Sequence, residues 1–427
     1  MKSTLAKPLH RVAGRPMLAH VIAAAESLSP EKIVVVVGDG MDDVAQAAHP
    51  HPTAIQSRRN GTGGAALAAS SHLKGFDGDV LILFGDTPLV TAETMKKMVS
   101  LRASLPGAGL VFSGMRVTSA NSYGRMVVGD DGFLERIVEF RDASEPEKSI
   151  TLCNGGIVGA DGKRRFDWLP LITDKNAQGE IYLTDLPAIA AKEGVKTAVL
   201  EVGLAEMEGV NSRADLARVE AAAQEVLRKK HMLGGVTLID PASVYFSYDT
   251  AVGQDVIIEP GVFFGPGVEV SDNVRILSHC RIEGAKIGTG AEVGPFARLR
   301  PGTVVGAGVK IGNFVETKNA QLGPGAKAGH LAYLGDAVIG AGANIGAGAI
   351  TCNYDGTQKH KTIIGEGAFI GSNAALVAPV TVGEGAVVGA GSTIVEDVPA
   401  HALALARGRQ VNKAGRNGPG KKKEKRG

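Results

Sequence analysis

The chain has 427 residues, enough for two or three domains that bury their own cores without metal or disulfide staples. Its 46 Lys+Arg and 44 Asp+Glu give a formal charge of +2, but positions 407–427 hold nine basic residues and one Glu, leaving 37 basic against 43 acidic in the rest. A mildly acidic body with a basic tail argues against nucleic acid as the main ligand. Three scattered cysteines, Cys153, Cys280 and Cys352, suggest a reducing compartment, and no apolar run reaches membrane-spanning length. The opening segment mimics a signal sequence, but Arg15, Pro16 and His20 interrupt its apolar stretch, so a cytoplasmic, soluble protein is expected.

The apolar runs 33–37 (IVVVV) and 79–84 (DVLILF) predict short parallel strands buried on both faces. Helical patterns at 16–28, 41–48 and 63–72 alternate with them, which indicates a doubly wound α/β sheet. Ligands of such a sheet bind at the carboxyl ends of its strands. Asp86 follows one of these ends, where it could hold a divalent cation or merely shape a turn before Pro88. The segment from Gln56 through Gly61, Thr62, Gly63 and Gly64 is a Gly-rich loop opening a helix, suited to close approach of a base or phosphate. Positions 214–230 predict a charged connecting helix.

The second half has a different grammar. Of 58 glycines, 28 fall between positions 252 and 399, and aliphatic residues recur there every six residues, as at Ile258, Phe264, Val270, Ile276 and Ile282. Thr317 breaks the apolar rule, several steps are five residues long, and 352–363 (CNYDGTQKHKTI) interrupts the register. A helix would show a period of 3.6; a period of six fits a parallel β-helix with three six-residue rungs per triangular coil. Each rung buries its aliphatic residue only by stacking, and Gly supplies the tight corners. The interruption should loop out of the coil and carry binding groups. The tail from 416 (RNGPGKKKEKRG) reads as a solvated, disordered end.

Taken together, these residues resemble the bacterial bifunctional enzymes that acetylate glucosamine-1-phosphate and uridylylate the product to UDP-N-acetylglucosamine. The likeness rests on 7–10 (KPLH) with 12–17 (VAGRPM), on 295–302 (PFARLRPG), on 313–318 (NFVETK) and on 327–336 (KAGHLAYLGD). It implies a Rossmann-like nucleotidyltransferase domain at 1–213, a helical linker at 214–233, a left-handed β-helix acetyltransferase domain at 234–407 and a basic tail at 408–427. Lys7, Gln56, Gly61, Thr62, Gly124, Glu139, Asn154, Thr184 and Asn211 would then contact the uridine nucleotide and its sugar, with Asp86 and Asn211 holding Mg²⁺. In the second half the resemblance implies His330 as general base, and Arg300, Lys318, Tyr333 and Asn344 as contacts to the sugar phosphate. Ala347, Asn353, Tyr354, Ser372, Ala390 and Arg407 would hold acetyl-CoA, in a homotrimer whose acetyltransfer sites are shared between neighbouring β-helices.

The pattern departs from the family at its start. The family opens with a buried strand and a Gly-rich loop ending in Gly-Thr-Arg-Met, and this chain begins at what looks like that Met. The first domain is therefore expected to lack the strand, loop and Arg, whether through a start codon set too far downstream or a short chain. That loss would expose unpaired ladder groups on both neighbouring strands and remove charge stabilisation from uridylyl transfer. A smaller departure is Ala6, where the family usually has Pro. A monofunctional acetyltransferase with an inactive first domain is the main alternative. An effector-binding β-helix and a non-enzymatic scaffold are further ones. A β-helix carbonic anhydrase is disfavoured, because His279, His330 and His360 are too scattered in register to share a zinc.

Overall fold

The computed structural model describes residues 1–104, 109–119, 121–162 and 167–415, so the expected disordered end at 416–427 lies outside the described residues. The chain divides into two compact units, Met1–Leu227 and Arg228–Gly427.

In the first unit, Leu152–Asp161 is the spine of a mixed sheet. It pairs antiparallel with Leu110–Arg116 on one side and with Asp79–Ile82 and Arg125–Val128 on the other. Thr197–Glu201 extends the sheet parallel to Leu110–Arg116, and Leu134–Val138 closes it beside Arg125–Val128. Leu110, Val111, Phe112 and Met115 are fully buried, because helices such as Ala92–Ser104 cover this region. Val35–Gly38 and Thr53–Gln56 form a separate parallel pair, joined through the helix Asp42–Ala47. One expectation needs correction. The run DVLILF predicts a parallel strand buried on both faces, yet Asp79–Ile82 pairs antiparallel and Val80 through Phe84 are only half-buried. The physical reason is that only one of its edges has a ladder partner among the described residues.

The second unit is a left-handed parallel β-helix of hexapeptide rungs. Ile257 pairs with Arg275, Glu292 with Lys310 and Phe369 with Val387, each one coil of 18 residues. The five-residue steps shorten a coil to 17, as between Arg275 and Glu292. Between Asn344 and Phe369 the coil takes 25 residues, because 353–361 leaves the wall as expected, although Cys352 and Thr362 themselves stay in strands. The six-residue register is buried from Ile258 to Ile394. A second buried column, two residues earlier in each rung, escaped the sequence reading: Val256, Val262, Val268 and Val274, then Ala291, Ala297, Ala326 and Ala332. Its small members fit the narrow corners. Thr317 keeps its place in the core because its hydroxyl meets that of Thr303 at 3.0 Å, and Thr303 donates to the Arg300 carbonyl.

Candidate active sites

In the first unit, the turn Lys7–Leu9 sets Lys7 Nζ 2.5 Å from Asp86 Oδ2 and lets it donate to Asn211 Oδ1 at 2.6 Å. The two acceptor loops are held in register by the Val210 amide, which donates to the Asp86 carbonyl, and by Asp215, which accepts from the Asn211 and Ser212 amides. A carboxylate oxygen and an amide oxygen thus converge on one cationic point. Such a pair of hard oxygens suits Mg²⁺, which usually takes one or two protein ligands and fills its octahedron with water and phosphate oxygens.

Gln56 ends the strand Thr53–Gln56, and its Nε2 donates to the Gly61 carbonyl at 3.0 Å and to Asn60 Oδ1 at 3.1 Å. Gly61 has φ +102, and a Cβ there would lie 2.5 Å from the Ile181 carbonyl oxygen, so the loop demands glycine. Thr62 Oγ1 accepts from the Leu183 amide, which brings the Gly-rich loop beside Thr184. Thr184 donates to Glu139 Oε1 at 3.0 Å, and Asn154 donates its amide to the Gly124 carbonyl at 2.9 Å. Burial raises the Glu139 carboxyl above its ordinary range, partly offset by the Thr184 hydroxyl. The expected nucleotide-side residues therefore fall into three linked groups.

In the second unit, the coil repeat lines up the cations. Leu299 pairs with Thr317, which puts Arg300 in register with Lys318, and Lys318 pairs with Gly335. Arg300 Nη1 donates to Glu316 Oε1 at 2.9 Å. The Lys318 ammonium is held below its usual range, first by the neighbouring Lys359 and then by Arg300. Asp336 sits at the following corner with φ +46 and accepts from Asn319 and Asn353. Burial opposes ionisation of Asp336, but these hydrogen bonds, with Lys359 and Lys318 nearby, keep its carboxyl below the usual range.

His330 is exposed at the end of the strand Lys327–His330, paired in register with Asn313. Its Nδ1 lies 2.8 Å from Asn313 Oδ1. An amide oxygen only accepts, so in the neutral ring the proton sits on Nδ1 and Nε2 keeps the lone pair. Tyr333 starts the next strand, Tyr333–Ile339, and pairs with Glu316. Asn344 pairs with Lys327. Tyr354, in the excursion, donates to the Gly356 carbonyl. Ala347, Ser372 and Ala390 follow one corner through successive coils: Asn373 donates to the Ala347 carbonyl, Gly391 to that of Ser372, and Arg407 to that of Ala390.

Sequence reasoning missed Lys359, Asn313 and Asp336. Two of the three had a signal: Asn313 stands one 17-residue coil before His330, and Asp336 directly follows Gly335, which stands one 17-residue coil after Lys318. Lys359 had no register signal, because the excursion leaves the repeat; only the expectation that the excursion carries binding groups pointed to it. Among the described residues no group of three or more His, Cys, Asp or Glu could hold a metal ion, and no helix is long and apolar enough to cross a membrane.

Comparison with known proteins agrees with both halves. Residues 1–149 match the MobA-like NTP transferase domain, and residues 284–319 and 361–396 match the bacterial transferase hexapeptide repeats. The chain is 51% identical to "Bifunctional protein GlmU" of Paramagnetospirillum magneticum over 97% of its own length and 92% of the relative's. It is 52% identical to the protein of the same name from Rhodospirillum rubrum, over 96% of this chain and 91% of that one. The Acidiphilium cryptum relative is 53% identical over 97% and 94%. With a transferase-type nucleotide unit, a hexapeptide β-helix and this likeness along nearly its whole length, the chain belongs to the bifunctional GlmU family.

Proposed function

We propose that this chain makes UDP-N-acetylglucosamine in two steps: acetyl transfer from acetyl-CoA to glucosamine-1-phosphate, then uridylyl transfer from UTP with release of pyrophosphate. The observation that carries the first step is the cluster of Arg300 and Lys318, in register on adjoining coils, with Lys359 of the excursion beside Lys318, where like charge holds the Lys318 ammonium below its usual range. A sugar phosphate relieves that repulsion, and Arg300 offers it a planar fork. The hexosamine amine attacks the thioester carbonyl and passes a proton to His330 Nε2 while the thiolate of CoA leaves. Asn313 fixes the tautomer that makes this possible. Tyr333 and Asn344 complete the sugar contacts. Asn353, Tyr354, Ala347, Ser372, Ala390 and Arg407 hold acetyl-CoA, and a homotrimer built through the β-helix shares these sites between neighbours.

In the second step Lys7 neutralises phosphate charge and Gln56, Gly61 and Thr62 receive the uracil. Gly124, Glu139, Asn154 and Thr184 receive the sugar. Mg²⁺ at Asp86 and Asn211 would supply electrostatic stabilisation of the triphosphate. Residues 1–213 form the uridylyltransferase domain and 234–407 the acetyltransferase domain, joined by the helical segment 214–233 and followed by the tail 408–427, in a cytoplasmic enzyme. The test uses the purified chain. Thioester consumption with glucosamine-1-phosphate and pyrophosphate release with UTP are measured separately. His330→Ala should cut acetyl transfer at least about tenfold with the fold intact, and Asn313→Ala should shift its pH profile. Unchanged turnover in His330→Ala would remove the base assignment.

A further inference from the structure

Asn319 and Asp336 stand at the same corner of adjoining coils, where the two preceding coils carry Gly284 and Gly302. All four have positive φ: +51 and +83 at the glycines, +46 at both Asn319 and Asp336. Gly, Asn or Asp meets that backbone demand, so conformation alone does not account for a carboxylate at this corner. The Asp336 side chain is instead fully engaged. Its Oδ1 accepts from Asn319 Nδ2 at 2.7 Å, and its Oδ2 accepts from Asn353 Nδ2 at the root of the excursion.

An ionised carboxylate has no proton to give, so both amides that meet it turn their NH2 groups inward. For Asn319, exposed at the surface, little follows. For Asn353 it decides which atom is left over. Its backbone is pinned on both sides, since its amide donates to the Thr351 carbonyl and its carbonyl accepts from the His360 amide. The residue is only 8% exposed, and its Oδ1 takes no hydrogen bond from any described residue yet is not sealed from solvent. We infer that Asp336 is a positioning residue that makes Asn353 present a hydrogen-bond acceptor, so that the ligand group received there is an N–H or O–H donor rather than a phosphate or carbonyl oxygen. The use of Asn353 as a ligand contact rests on the acetyl-transfer reading, whereas its orientation by Asp336 does not. Two sources supply such a donor: an amide N–H of the CoA arm, and the amine or a hydroxyl of the hexosamine.

The test exchanges the two groups in the full chain and follows both thermal unfolding and thioester consumption. Asn353→Asp alone sets two carboxylates face to face. It should lower the melting temperature and cut kcat/KM at least about tenfold for the co-substrate that supplies the donor. The larger fall, for acetyl-CoA or for glucosamine-1-phosphate, assigns that donor to the CoA arm or to the sugar. Adding Asp336→Asn restores every hydrogen bond: the amide at 336 still accepts from Asn319 and now donates to the carboxylate at 353, whose other oxygen still faces the ligand. The double variant should therefore regain the melting temperature and return kcat/KM to within about threefold of the unsubstituted chain. A regained melting temperature without regained turnover overturns the acceptor assignment, because the exchange leaves no NH2 for the ligand. Unchanged kcat/KM in Asn353→Asp, or a double variant that melts no higher than the single one, overturns the positioning role. The melting comparison needs no turnover, so a chain that never consumes thioester removes the acetyl-transfer reading while the orientation of Asn353 is still decided.

Discussion

Lys318 shows how much a single residue's chemistry depends on its neighbours. In the sequence it is one lysine in 313–318 (NFVETK), and nothing there lowers its proton affinity. The fold puts it next to Lys359 from the excursion and in register with Arg300, and the three like charges depress its pKa. Lys359→Gln should therefore raise the Lys318 pKa, visible in an NMR titration of its ammonium. The same variant should raise KM for glucosamine-1-phosphate about tenfold, since a charge-assisted hydrogen bond is lost. An unmoved Lys318 titration would show that the two ammoniums do not meet in solution. His330 is the complementary case. The resemblance singles it out, but its usable tautomer is fixed by Asn313, a residue one coil away.

At the scale of the element, the β-helix makes a sharp distinction between glycines that look alike in the sequence. A Cβ on Gly312 would stand 1.7 Å from the Gly329 carbonyl oxygen of the next coil, whereas Gly308 has open space and φ +64. Gly312→Ala must push two stacked coils apart and should cost about 3 kcal/mol or more in denaturant unfolding of the second unit. Gly308→Ala strains only its own backbone and should cost about 1–2 kcal/mol. Equal losses would mean that coil spacing is not what the first glycine protects. The six-residue period was legible because stacking repeats it in every rung. The second buried column was not, since its Ala and Val residues also suit an exposed wall until the corners close around them.

For the whole molecule, each of the two units holds a buried histidine in its neutral form. Burial lowers the pKa of His10 in the first unit, with Arg213 adding to it. In the second, burial pushes His231 down to about 4, with Lys230 adding, and its ring lies 4.4 Å from Phe246. The unfolded chain binds protons at these sites below its ordinary histidine pKa, so stability is present above about pH 6.5 and is lost as pH falls from there toward about 4 for His231. His231→Leu should flatten that part of the stability–pH curve for the second unit; an unchanged slope would assign the acid loss elsewhere. Composition, the hexad period and the motif residues determined by themselves the division into a nucleotide-type unit and a β-helix, because each is a local or repeating pattern. Tertiary structure alone decided that Lys7 bridges Asp86 and Asn211 and that Lys359 reaches Lys318. Those facts join residues distant in the chain, and only packing sets the distances between them.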